Sequence, residues 1–110
     1  MSKTLKLVLT DHWFEEIKSG RKTHEYRKVT PFWIKRFEKA FGFMMNYKED
    51  IVAHIENPPF MPLIEFQKAY RKNAEKMLFQ SKSLSIYTGT NTDLKCDWLV
   101  YDIELGERVK

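Results

Sequence analysis

Hydrophobic positions change period several times along this chain, and the changes set out its elements. Leu5, Leu7 and Leu9 alternate with Lys6 and Val8, which predicts a half-buried strand of about five residues. Thr10 or Asp11 then caps a short helix. Trp13, Phe14 and Ile17 lie on one side of it, with Glu15, Glu16 and Lys18 on the other, and Gly20 is placed to end it. Lys22 to Lys28 loses helical spacing and has strand character through Thr23 and Tyr26. Thr30-Pro31 is a helix start, with Thr as N-cap and Pro in the first turn, and Phe32, Trp33, Ile34, Phe37 and Phe41 are expected to face inward before Gly42.

Ile51, Val52 and Ile55 return to helical spacing, with Lys48, Glu49 and Glu56 outside, and predict a second short helix in 43–56. Asn57-Pro58-Pro59-Phe60-Met61-Pro62 excludes regular structure, because its prolines remove donors and fix φ. Strands follow at Leu63 to Lys68 and Met77 to Tyr87, joined by a polar stretch, Tyr70 to Lys76. After a turn at Thr88 to Asp93, a last strand is predicted from Trp98 to Leu105, with Leu99, Tyr101, Ile103 and Leu105 on one face and Trp98, Val100, Asp102 and Glu104 on the other. Alternating strands with few helices point to an α+β class and a small, partly open β-barrel plugged by two or three short helices. A parallel βαβ sheet is disfavoured, since its strands read as continuous apolar runs.

Composition narrows the function classes only coarsely. The 110 residues suit one domain, and 43% hydrophobic content with eight Phe, five Tyr and three Trp describes an ordered chain. A formal charge of +4 permits a polyanion without requiring one. The lone Cys96 excludes an internal disulfide and fits a reducing, cytoplasmic setting, and no Cys/His spacing suggests a metal or other cofactor. The apolar run at Leu5 to Leu9 is too short for a signal peptide or membrane span.

Candidate chemistry concentrates in Gly20-Arg21-Lys22-Thr23-His24-Glu25-Tyr26-Arg27. In a strand Glu25 and Arg27 share one face, and His24 and Tyr26 the other. Lys22 has the wrong parity to join Glu25, unless it still sits in the turn after Gly20. A carboxylate between two cations accepts hydrogen bonds and donates none, which suits the amino and imino protons of a nucleobase. The plainer alternative is a barrel-surface ion pair worth under about 1 kcal/mol. Residues 18 to 36 carry Lys18, Arg21, Lys22, Arg27, Lys28, Lys35 and Arg36 against Glu25 alone, whereas Lys68, Arg71, Lys72 and Lys76 are partly balanced by Glu65 and Glu75. Phosphate binding or a solvated face accounts for either group. Tyr26 and Tyr70 are the better stacking candidates, because Phe32 and Trp33 read as core. His12, His24 and His54 lack convergent partners in sequence, and Cys96 has no adjacent base. Phe43, Met44 and Met45 read as core or as a partner-binding patch.

The pattern Gly20-x-Lys22-x-x-Glu25-x-Arg27 after a strand and a helix resembles the ASCH family, related to the PUA-like β-barrels. The resemblance extends through residues 25–36, through Ile64 to Tyr70, where Ala69 replaces a frequent glycine, and through Val100 to Glu107. It covers nearly the whole chain as a single domain, with 41–62 as an atypical insertion and a candidate protein-binding segment. The resemblance implies a cleft that binds RNA, nucleotides or modified nucleosides, with Lys22, Glu25, Arg27, Tyr26, Arg21, Lys28, Lys68 and Tyr70 as candidate ligand contacts. Some small bacterial members are amidohydrolases acting on N4-acylated cytidine. Their lysine matches Lys22, but their threonine nucleophile falls where this chain has Glu25, so catalysis would rest on Lys22 and Glu25. A third class of function is a small interaction or inhibitor protein acting through 41–62.

Overall fold

A computed structural model describes residues 4–45, 53–55 and 58–110. The described elements are β1 (Thr4–Leu9), α1 (Asp11–Lys18), β2 (His24–Lys28), α2 (Pro31–Phe41), β3 (Ala53–Ile55), β4 (Leu63–Lys68), β5 (Lys76–Thr88), a 3-10 turn at Gly89–Asn91 and β6 (Leu99–Arg108). All six strands join one mixed sheet, ordered β1-β4-β5-β6-β2, with β3 added to β5. The sheet curls into a half-barrel and the fold is α+β.

The long strand β5 makes the curl. Its first part pairs with β4, its last part with β3, and most of its length with β6, with register breaks between Phe79, Ser81 and Ser83. Such breaks bend and twist a strand, so one element can serve two sheet directions. The outer strands β1 and β2 then approach each other without pairing, and Arg27 Nη2 on β2 donates to the Val8 carbonyl on β1 at 3.0 Å.

Both helices lie against β1. From α1 the core takes Phe14 and Ile17, and from α2 Phe37, Ala40 and Phe41; Phe37 stacks on Tyr101 of β6 at 4.1 Å. Each fully buried Phe contributes about 1.5–3 kcal/mol. Thr30 caps α2 by accepting from the Trp33 amide, and Gly42 closes it at φ 78°. Among the described residues no helix is long and apolar enough to cross a membrane.

Several expectations need correction. Ala53–Ile55 is a strand paired with Leu84 to Ile86 rather than part of a helix, because a neighbouring free edge outweighs weak helical spacing; the rest of that predicted helix, from Asn46 to Val52 and at Glu56, lies outside the described residues. Phe32 is 54% exposed, displaced from the core to the first turn of α2. Val100 and Asp102 are buried as well as Tyr101 and Ile103, because the loop after β5 covers the outer face of β6 at Val100. The sheet also contains one parallel pair, β1 with β4, despite the alternating strands. Phe43 and Met45 pack on the core, while Met44 is exposed.

Candidate functional site

The turn after α1 brings Lys22 to the β2 carboxylate. Gly20 takes φ 85°, Ser19 Oγ donates to the Glu16 carbonyl and receives the Arg21 amide, and the Lys22 amide donates back to the Glu16 carbonyl at 3.0 Å. Ladder pairing begins only beyond it, where the Thr23 carbonyl accepts from the Leu105 amide and His24 faces Glu104. Lys22 therefore escapes strand parity, and its Nζ stands 3.0 Å from Glu25 Oε1.

The same ammonium lies 2.7 Å from Asp93 Oδ2 and 4.4 Å from the centre of the Trp13 ring. Arg27 reaches the other Glu25 oxygen, with Nη2 3.0 Å from Oε2, and lies over Trp33 at 5.3 Å. Glu25 is buried and its two cations are largely covered: side-chain exposure is 3% for Glu25, 11% for Lys22 and 18% for Arg27. The plain surface ion pair weighed above is thus excluded by burial, since desolvated charges interact far more strongly than solvated ones. Glu25 Oε1 also accepts from the Tyr26 amide, but the contact of Arg27 with Oε2 lies off hydrogen-bond geometry. Both Glu25 Oε2 and Arg27 Nε lack a hydrogen-bond partner among the described residues. Buried polar atoms without partners are uncommon and costly.

Two adjoining cavities open here. One, of about 150 Å³, is walled by Glu25, Arg27, Val8 to Thr10 and Leu94. The other, of about 300 Å³, is walled by Glu16, Arg21, Thr23 and His24. Trp13, Lys22, Tyr26 and Asp93 line both, so Lys22 stands at their boundary.

Across β2 and β6 a second polar group forms. His24 Nδ1 is 2.7 Å from Asp102 Oδ1, and the Tyr87 hydroxyl donates to Asp102 Oδ2 at 2.5 Å. Burial and then the Asp102 hydrogen bond push the Tyr87 phenol up; burial and the Asp102 and Asp93 charges also push Tyr26 up, against a lowering contact with Tyr87. Both phenols stay neutral donors well above neutral pH. No cluster among the described residues has the makings of a metal site.

Of the sequence candidates, Lys22, Glu25, Arg27 and Tyr26 converge, and Arg21 lines the larger cavity while paired to Glu16. Lys28 is exposed beyond the cleft, Lys68 is held on Glu15 at 2.7 Å, and Tyr70 is 89% exposed on the β4–β5 connection, so these three stand apart from the site. His24, read as partnerless, is paired with Asp102. Asp93, Asp102, Tyr87 and the Val8 carbonyl were not singled out for this site. Only the polar break of Asp102 in an apolar strand hinted at one of them, and Asp93 lies 71 positions from Lys22 with no local signal. Nothing matches the chain in comparisons with protein-family models, with curated proteins or with solved structures.

Proposed function

We propose that this chain is an ASCH-like module of PUA-like architecture that binds a nucleoside, or one base of an RNA, in the cleft around Lys22, Glu25 and Arg27. The observation that carries the reading is the buried Glu25 carboxylate, flanked by two cations, with Oε2 lacking a hydrogen bond beside a cavity of about 150 Å³. An amino group on a heterocycle supplies the missing donor once the side chains that cover Oε2 move aside. Trp13 and Tyr26 offer flat walls, and Lys22 and Arg27 offer charge to a phosphate. Ala69 adds support from outside the cleft. It occupies the left-handed region at φ 60°, where a glycine, frequent at this position in the ASCH family, fits without strain. The free thiol of Cys96 accords with a reducing, cytoplasmic setting.

Calorimetric titration of cytidine, adenosine and uridine tests the reading, with Glu25→Gln as the variant because it keeps the side chain's shape. Cytidine or adenosine is expected to bind, and the variant to lose about tenfold or more in affinity, the worth of a charge-assisted hydrogen bond. Equal affinity in the variant, or no nucleoside binding by wild type, refutes it.

A second reading draws on Asp93. Its contact with Lys22 gives the cleft an ammonium between two carboxylates, an arrangement able to position water against an amide. The reaction would convert N4-acetylcytidine and water to cytidine and acetate. Release of cytidine that is lost in Lys22→Ala and Asp93→Asn supports hydrolysis, and no turnover of acylated nucleosides removes it.

A further inference from the structure

Exposed cations fall into two populations. Around α1 and the β4–β5 connection most are matched, Lys72 excepted: Lys18 with Glu75 at 2.6 Å, Lys68 with Glu15 at 2.7 Å, Arg71 with Asp11 at 2.6 Å, and Arg21 with Glu16. Along the outer edge of β1 they are not. There β1 and α2 form a groove of about 270 Å³ walled by Thr4, Leu5, Lys6, Arg36, Lys39 and Ala40. Lys6, Arg36 and Lys39 are exposed and have no carboxylate partner among the described residues. Glu65 stands opposite Lys6 in the β1–β4 register, and Glu38 of α2 accepts from the Met45 amide. Three cations around one groove repel each other until an anion enters it.

Arg36 is already positioned for that. Its guanidinium lies 3.4 Å from the centre of the Phe32 ring, and Nη1 donates to the Phe32 carbonyl at 3.1 Å, leaving other N–H groups unengaged. A planar cation with a fixed stem loses little freedom on meeting a phosphate. This also explains the exposure of Phe32, whose ring supports Arg36 instead of filling the core.

The groove and the cleft share strand β1. Val8 lines the Glu25 cavity and Leu5 lines the groove, three residues apart on one strand, or about 10 Å. On α2 the same order holds: Trp33 lies beside Arg27, and Arg36 and Lys39 follow along the helix. Lys6, Arg36 and Lys39 thus lie on the strand and the helix that also flank the base-sized pocket.

Resting on the nucleoside reading of the cleft, we propose that its ligand is one nucleotide of a single-stranded RNA. Phosphates beyond that nucleotide occupy the β1–α2 groove on Lys6, Arg36 and Lys39. A free nucleoside leaves this groove empty, so affinity rises with strand length until the groove is filled. The contacts are electrostatic, so they set salt dependence and carry no base preference.

The test compares wild type, a Lys6→Gln/Arg36→Gln/Lys39→Gln triple variant and Glu25→Gln against cytidine, adenosine and a series of fluorescent single-stranded oligoribonucleotides. All three groove positions are on the surface, so the triple variant is expected to retain the wild-type melting temperature. Wild type should bind the longer strands more tightly than the nucleosides. In the triple variant the slope of log affinity against log salt should flatten by about two, a loss of about a hundredfold at 0.1 M salt relative to 1 M, with nucleoside affinity unchanged. An unchanged slope and oligonucleotide affinity in the triple variant overturns the groove, as does wild-type binding of strands no tighter than nucleosides. Binding of an acidic peptide along the β1 edge, with no oligonucleotide binding, overturns it too. Oligonucleotide binding that needs the groove but ignores Glu25→Gln instead refutes the cleft reading and leaves the groove a phosphate track.

Discussion

Replacing Glu25 with alanine removes the carboxylate that Lys22 and Arg27 share. Lys22 keeps Asp93 and Arg27 keeps the Val8 carbonyl, so neither cation is orphaned, yet both lose their buried partner. Breaking one member of a buried ion pair costs about 3–5 kcal/mol, and the remaining contacts place this site near the lower end, at about 3 kcal/mol. Against a total stability of about 5–15 kcal/mol this is a large fraction. At about 4–8 °C per kcal/mol it corresponds to a melting temperature lowered by more than about 10 °C. Urea denaturation followed by tryptophan fluorescence measures it, with an unchanged slope confirming that both proteins unfold between comparable states. Arg27→Met should cost a similar amount, and the Glu25→Met/Arg27→Met double variant less than the two single changes together, with a coupling of about 1–3 kcal/mol. A cost below about 1 kcal/mol for Glu25→Ala, with no coupling, refutes the reading that these buried charges depend on one another.

Two further outcomes follow from backbone and titration. Ala69→Gly should stabilise by about 1 kcal/mol, since it relieves a left-handed alanine; Gly42→Ala should destabilise by about 1–2 kcal/mol, adding strain at φ 78° and a Cβ 2.7 Å from the Phe60 ring, both read as urea midpoints. Tyr87 has a folded pKa raised above its ordinary value of 10.0, so the folded state holds that proton longer. Its contribution to stability is full below about pH 10 and is lost as pH rises toward the folded value, and wild type should lose more stability than Tyr87→Phe between about pH 8 and pH 11. Parallel alkaline losses in the two proteins refute that linkage.

What the sequence determined by itself was local. Period-two and helical spacing located β1, α1, α2, β4, β5 and β6, and the Thr30-Pro31 start and Gly42 stop of α2, because these signals act within one or two turns of chain. Strand parity likewise put Glu25 and Arg27 on one face, and the turn after Gly20 supplied the condition under which Lys22 joins them. Tertiary structure decided the rest. Ala53–Ile55 is a strand only because β5 offers it an edge, and Lys68 and Tyr70 are drawn away from the cleft by where α1 and the β4–β5 connection lie. Asp93 meets Lys22, and Val8 meets Arg27, only because the bends in β5 curl the sheet until β1 approaches β2. Contacts between residues tens of positions apart depend on that curvature, and sequence spacing does not encode it. The same curvature turns an ordinary Glu–Arg pair into a buried, incompletely satisfied carboxylate beside a cavity.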